Sequence, residues 1–105
     1  MPKGISQMEI RKELKDRRLD IAVIGRLDTT TAPELDAAIK ESIEGVEELA
    51  IDFSELDYIS SAGLRVLLSM QKVMNKQGKM TVSGVQEPVM EVFEITGFAD
   101  ILTIE

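Results

Sequence analysis

An α/β fold, a mixed β-sheet with helices packed on it, is what three features of the sequence predict. Apolar runs of strand length, at residues 19–25, 49–53 and 80–84, are separated by stretches whose apolar residues recur at helical spacing. The chain opens, by contrast, with two strand-like runs joined only by Lys15-Asp16-Arg17-Arg18, too short for a helix and suited to a hairpin. Glycines stop the helical stretches at Gly45 and Gly97. Strands alternating with helices imply parallel neighbours joined by right-handed crossovers, and the hairpin supplies one antiparallel pair. The expected order is β-β-α-β-α-β-α-β, in a single domain covering residues 1–105.

Taken in order, apolar Met8, Ile10 and Leu14 alternate with Glu9, Arg11 and Glu13, the pattern of a strand with one wet face, and Lys12 on its apolar side places it at an edge. Residues 19–25 are richer in apolar side chains, which predicts a central strand buried on both faces. Thr31 with Glu34 three residues on has the form of a capping box, and Pro33 falls in the first turn, where no hydrogen bond is lost. Leu35, Ala38, Ile39 and Ile43 line one face of the helix that follows, expected to run to Gly45. After the strand at 49–53 a short polar segment leads to a second helix over residues 61–76, with a polar stripe at Arg65, Ser69, Lys72 and Lys76 and a broad apolar arc. A turn at residues 77–79 opens the strand at 80–84. Glu87-Pro88 begins a third helix, with Val89, Val92 and Phe93 inward, and residues 101–104 are expected as a last short strand.

Composition narrows the chemistry. Cysteine and histidine are both absent, which removes disulfides, His/Cys metal sites, the Ser-His-Asp arrangement and the Cys-His pair. No cofactor and no metal are expected. A net charge of −7 with four aromatic residues argues against nucleic acid, whose binders carry basic stripes and stacking rings. The charge is uneven: residues 28–57 hold ten acidic side chains against Lys40 alone, a solvated face that would also steer a basic partner. No run approaches the roughly 20 apolar residues of a membrane span, and the first residues lack the apolar core of a signal peptide, so a cytoplasmic protein is expected.

The candidate site lies at the start of the second helix. There the strand at 49–53, a tight loop and the small residues Ser60, Ser61, Ala62 and Gly63 bring two hydroxyls to a helix mouth, where unpaired amides and the dipole favour negative charge. Two readings of the serines stand side by side: helix capping, or a modifiable hydroxyl on a docking surface left open by the small Ala62 and Gly63. Asp28, Thr29 and Thr30, in the loop before the first helix, read equally as turn residues. Both loops run from a strand end to a helix start, so they are expected side by side on one rim of the sheet.

The Gly25-Arg26-Leu27-Asp28 and Ala32-Pro33-Glu34-Leu35 segments, Asp52-Phe53-Ser54, Ile59-Ser60-Ser61-Ala62-Gly63-Leu64, the Gly78 turn and Phe93-Glu94-Ile95-Thr96-Gly97 together resemble the anti-sigma factor antagonists, proteins of a single STAS domain. The resemblance spans nearly the whole chain. It implies a regulatory module with no catalysis of its own that binds an anti-sigma factor serine kinase, frees the sigma factor for transcription, and is switched off by phosphorylation of one serine and restored by a phosphoserine phosphatase. Carried onto this chain, that serine is Ser61 and Asp28 is the acidic residue of the neighbouring loop; the surface expected to meet a partner around them takes in Thr29, Thr30, Ser60, Ala62, Gly63 and Arg65. A common form of the pattern has an aspartate before the acceptor and a serine after it; this chain has Ser60 and Ala62, which makes Ser60 a rival acceptor. The free protein is expected as a monomer. Other readings are a nucleotide- or anion-sensing module, a STAS partner in another signalling or transporter complex, and an enzyme with Ser61 as nucleophile. The absence of a glycine-rich phosphate loop with its lysine weighs against the first, and the absence of an evident base against the last.

Overall fold

A computed structural model describes residues 8–105. The hairpin forms as the sequence predicts: β1 (Met8–Lys15) pairs antiparallel with β2 (Arg18–Leu27) through eight rungs, from Met8 opposite Gly25 to Lys15 opposite Arg18. Next come α1 (Ala32–Lys40), β3 (Glu48–Asp52), β4 (Leu56–Ile59), α2 (Ser61–Gln77), β5 (Lys79–Ser83), α3 (Glu87–Thr96) and a single turn, α4 (Phe98–Ile101). The sheet runs β1-β2-β3-β5, and β4 pairs with the far end of β2. Every pairing after the hairpin is parallel, so the sheet is mixed, as expected.

The core lies between one face of this sheet and the helices. Leu19, Ile21 and Val23 of β2, Leu49 and Ile51 of β3, and Met80 and Val82 of β5 meet Leu35 and Ile39 of α1, Leu67, Met70 and Met74 of α2, and Val89 and Phe93 of α3 in one cluster. The alternate residues of the strands point the other way. Asp20, Ala22, Ile24 and Ala50 are only half-buried and Asp52 is exposed, so β2 is central but not buried on both faces. This second face carries a shallow groove of about 840 Å³, whose lining includes Asp20, Ala22, Ala50, Asp52, Ser54 and Ser83.

Lys12 explains how the edge and α1 fit together. Its ammonium donates to the Ala38 carbonyl at 3.1 Å and to Glu41 Oε1 at 2.8 Å, placing a cation at the helix C-terminus, where the dipole favours one. That helix ends at Lys40, short of Gly45. The chain then turns through Ser42 N–H to Ile39 O and Val46 N–H to Ile43 O, and Gly45 supplies the positive φ of +81° that the turn requires.

Two elements depart from the pattern read in the sequence. Residues 56–59, taken as polar connection, form β4. A bulge beside Gly25, which pairs with Leu56 while Arg26 pairs with Tyr58, leaves Asp57 as the extra residue, so Leu56 and Ile59, three apart, are both buried and the period of two is lost. The expected last strand over 101–104 begins instead with a helical turn through Ile101. Only afterwards does the chain reach the β5 edge, where Val82 N–H donates to Thr103 O at 2.9 Å and Glu105 N–H to Val82 O at 2.8 Å, a single parallel bridge at Ile104. Among the described residues, no helix is long and apolar enough to cross a membrane.

Candidate functional site

The pairing of β4 with β2 builds the site. Leu27 and Ile59 are the last partners of that parallel ladder, and Ser60 N–H continues it by donating to Leu27 O at 2.9 Å. The residues that follow, Asp28 on one strand and Ser60-Ser61 on the other, therefore leave the sheet next to each other. The two loops expected on one rim are on one rim.

In the first loop Asp28 does the capping that the sequence assigns to Thr31 and Glu34. Its Oδ1 accepts from the amides of Thr30 and Thr31, each at 3.0 Å, the geometry of a helix cap placed one turn early. Ala32 N–H bonding to Asp28 O at 2.8 Å shows that the chain is already turning there. Thr31 stands at the N-cap position but with helical φ and ψ of −93° and −20°, and no side-chain capping bond runs from it into α1. Its hydroxyl is buried; it donates to Arg26 O at 2.8 Å and accepts from Asp28 N–H at 2.8 Å. The Asp28 carboxyl is held below the ordinary carboxylate range, chiefly by the Thr31 amide, with the Thr30 amide, the Thr31 hydroxyl and the Arg26 charge adding to it and desolvation opposing. Thr29 and Thr30 are exposed at the loop tip.

The two serines of the second loop differ. Ser61 is the first residue of α2 and is exposed. Ser60, the N-cap, has an extended backbone with φ −104° and ψ 177°; its Oγ makes no capping bond, lies out of reach of solvent and has no hydrogen-bond partner. The mouth of α2 is thus left without a side-chain cap, beside a fixed carboxylate. Arg65 is exposed one turn further on, on the same stripe of α2 as Ser61. Ala62 is half-buried.

Gly63 corrects the sequence reading. It is buried, and a Cβ there would lie 2.8 Å from both Ile59 Cγ1 and Leu27 Cγ. Its bareness lets the first turn of α2 sit on the ends of β2 and β4; it does not open the outer surface to a partner.

Arg26 and Tyr58 are the neighbours that sequence reasoning missed. They are cross-strand partners, the guanidinium stands 4.2 Å from the centre of the ring, and Arg26 Nε lies 3.8 Å from Asp28 Oδ2. Each precedes its loop by two residues, a signal that becomes visible only once residues 56–59 are known to be a strand. No residue of the site lines the groove on the open sheet face, and no group of three or more acidic, histidine or cysteine side chains fit for a metal ion occurs among the described residues.

Comparison with known proteins bears on this arrangement. A model of the STAS domain matches residues 9–105. The anti-sigma-B factor antagonist of Listeria monocytogenes is 34% identical over 104 residues, covering 93% of this chain and 90% of that protein. An anti-sigma factor antagonist from Mycobacterium paratuberculosis superimposes with a TM-score of 0.85 at 22% identity, covering 98% of this chain and 89% of the other, a likeness of fold. SpoIIAA gives TM-scores of 0.80 in its unphosphorylated form, at 19% identity over 92% of this chain and 88% of that one, and 0.73 in its phosphorylated form, at 18% over 92% and 91%.

Proposed function

The chain belongs to the STAS domain family, and on that footing we propose that it is an anti-sigma factor antagonist in the cytoplasm whose binding to an anti-sigma factor serine kinase is switched by phosphorylation of Ser61. The observation that carries the proposal is the difference between the two hydroxyls: Ser61 stands exposed at an uncapped helix mouth beside Asp28, whereas the Ser60 Oγ is hidden. A kinase must reach the hydroxyl it modifies, which favours Ser61 over Ser60. The phosphorylated form of SpoIIAA, a protein of the same fold, lends support.

The physical basis of the switch is local. A phosphoryl group brings about −1.5 to −2 charges. At the start of α2 the free amides and the dipole accommodate it, so the fold survives. The same charge is unwelcome at an interface that already contains Asp28 and whatever carboxylates the partner presents. Two unit charges about 4 Å apart repel by about 4 kcal/mol at an effective dielectric of about 20, on the order of a thousandfold in affinity. Thr29, Thr30, Ala62 and Arg65 complete the surface around the switch, and a phosphoserine phosphatase restores the binding form.

The proposal is tested by incubating the protein with an anti-sigma factor serine kinase and ATP and mapping the phosphate by peptide mass spectrometry. One phosphate on Ser61, lost in Ser61→Ala, is the expected result. A modification that persists unchanged in Ser61→Ala overturns it.

A further inference from the structure

We infer that Arg65 is an internal clamp of the switch: once Ser61 carries a phosphate, the Arg65 guanidinium closes onto it and holds it over the first turn of α2. The inference rests on the reading of Ser61 as the modified residue, and adds to it the group that receives the modification.

The other arginines of the chain are already engaged. Arg11 pairs with Glu9 at 3.0 Å, Arg17 with Glu47 at 3.0 Å, and Arg18 with Asp20 at 3.1 Å and Glu48 at 2.9 Å. Arg26 lies 3.8 Å from Asp28 and stands over the Tyr58 ring. Arg65 differs from all of these. Among the described residues it has no ion pair, side-chain hydrogen bond or ring contact. It is also the single basic side chain between Lys40 and Lys72, in a stretch rich in carboxylates, yet no carboxylate of its own chain neutralises it.

The helix brings this idle cation to Ser61. The two residues are exposed and four apart in α2, a spacing at which Cβ atoms lie about 5 to 6 Å from each other. Helical side chains lean toward the N-terminus, so a long side chain at position 65 covers the turn that begins at position 61. The order is the favourable one, with the position to be made anionic N-terminal to the cation. An unmodified hydroxyl gives the guanidinium no charge to meet. A phosphate supplies three acceptor oxygens, and the planar fork of donors on arginine fits two of them. Arg26, the other cation on this rim, is already held by Asp28 and Tyr58.

Closure of the clamp acts on docking twice. It fixes the phosphate at the mouth of α2 instead of leaving it to swing in solvent, and it withdraws from the surface a cation that a partner carboxylate could meet in the unmodified form.

Phosphoserine built into position 61 during synthesis tests the clamp without any kinase, so its failure is distinct from a failure of Ser61 as the target of one. Phosphorus NMR reads the second ionisation of the phosphate, ordinarily at about 6. The parent is compared with Arg65→Gln, Lys72→Gln and Arg26→Gln, and circular dichroism confirms that each is folded. Asp28 pushes the ionisation upward in parent and variants alike, so the comparison cancels its effect. With Arg65 present the ionisation should lie about 0.2 to 0.4 pH unit lower than with glutamine, and the difference should shrink in about 1 M salt. Lys72→Gln should leave it unchanged, because Lys72 stands about 16 Å further along the helix, beyond the screening length of about 8 Å. Arg26→Gln should move it less than Arg65→Gln does. An Arg65→Gln variant whose phosphate ionises where the parent's does, or a shift matched by Lys72→Gln or Arg26→Gln, overturns the inference.

Discussion

Replacing Gly63 by alanine separates two explanations of why a glycine stands in the first turn of α2. If the glycine served only to leave the outer surface clear, alanine would stabilise the helix by about 1 kcal/mol, because glycine is the poorer helix former by that amount. The structure gives the opposite sign. The new Cβ would lie 2.8 Å from Ile59 Cγ1, 2.8 Å from Leu27 Cγ and 3.0 Å from Leu27 Cδ2, where carbon atoms ordinarily keep about 3.5 to 4.0 Å. Leu27 and Ile59 are buried in the core and belong to paired strands, and the nearest crowded atoms, Ile59 Cγ1 and Leu27 Cγ, lie one bond beyond Cβ, so most of the relief must come from lifting the start of α2. Overpacking of this kind costs about 1 to 3 kcal/mol; less the gain in propensity, the net loss lies between about 0 and 2 kcal/mol. Urea denaturation followed by circular dichroism reads it directly. With a slope of about 2 kcal/mol per molar for a protein of this size, the midpoint should fall by up to about 1 M at unchanged slope. A midpoint raised by about 0.5 M, the full helix-propensity gain at that slope, would refute the packing argument, and with it the claim that Gly63 seats the helix on which Ser61 stands.

Other substitutions carry equally definite signs. Ser60→Ala, at an N-cap that would ordinarily lose about 1 kcal/mol, is expected to be neutral or slightly stabilising in urea melts, because the Ser60 Oγ makes no capping bond and is buried without a partner; a loss of about 1 kcal/mol or more would show that the hydroxyl is bonded. Asp28→Asn should change how stability depends on pH. The folded Asp28 carboxyl has a lowered pKa, so its contribution is present above the ordinary carboxylate value of about 3.9 and fades as the pH falls through the lower folded value. The wild type should therefore lose stability relative to Asp28→Asn on acidification below about pH 4, as read from urea midpoints at stepped pH, and a difference independent of pH contradicts this. Lys12→Met should lower stability by about 0.5 to 1 kcal/mol through loss of the cation at the end of α1, with the effect shrinking in high salt; a salt-independent loss would place the contribution in packing instead.

Much of this molecule is legible in its sequence wherever one rule governs a segment. The alternation in β1, the apolar run of β3 and the 3.6-residue period of α2 each follow from a single burial face, and α2 begins at Ser61 as its pattern predicts. The unread parts lie where two constraints meet. Leu56 and Ile59 obey a bulge defined by β2, a strand some thirty residues away, so no local period marks β4. The C-terminal segment leaves Gly97, whose φ of +84° permits both the end of α3 and a further turn, before it touches β5 at one rung. At the site, the adjacency of the two loops follows from strand order, but the hidden Ser60 Oγ, the early cap by Asp28 and the Arg26–Tyr58 contact depend on side-chain directions that only the folded ladder sets.

The most direct test of the switch is the affinity of one anti-sigma factor kinase for this protein in its unmodified form and stoichiometrically phosphorylated on Ser61, measured by titration calorimetry in the same buffer. Weakening on the order of a thousandfold, with circular dichroism and urea midpoint preserved, is the predicted result. Equal affinities for the two forms would contradict it.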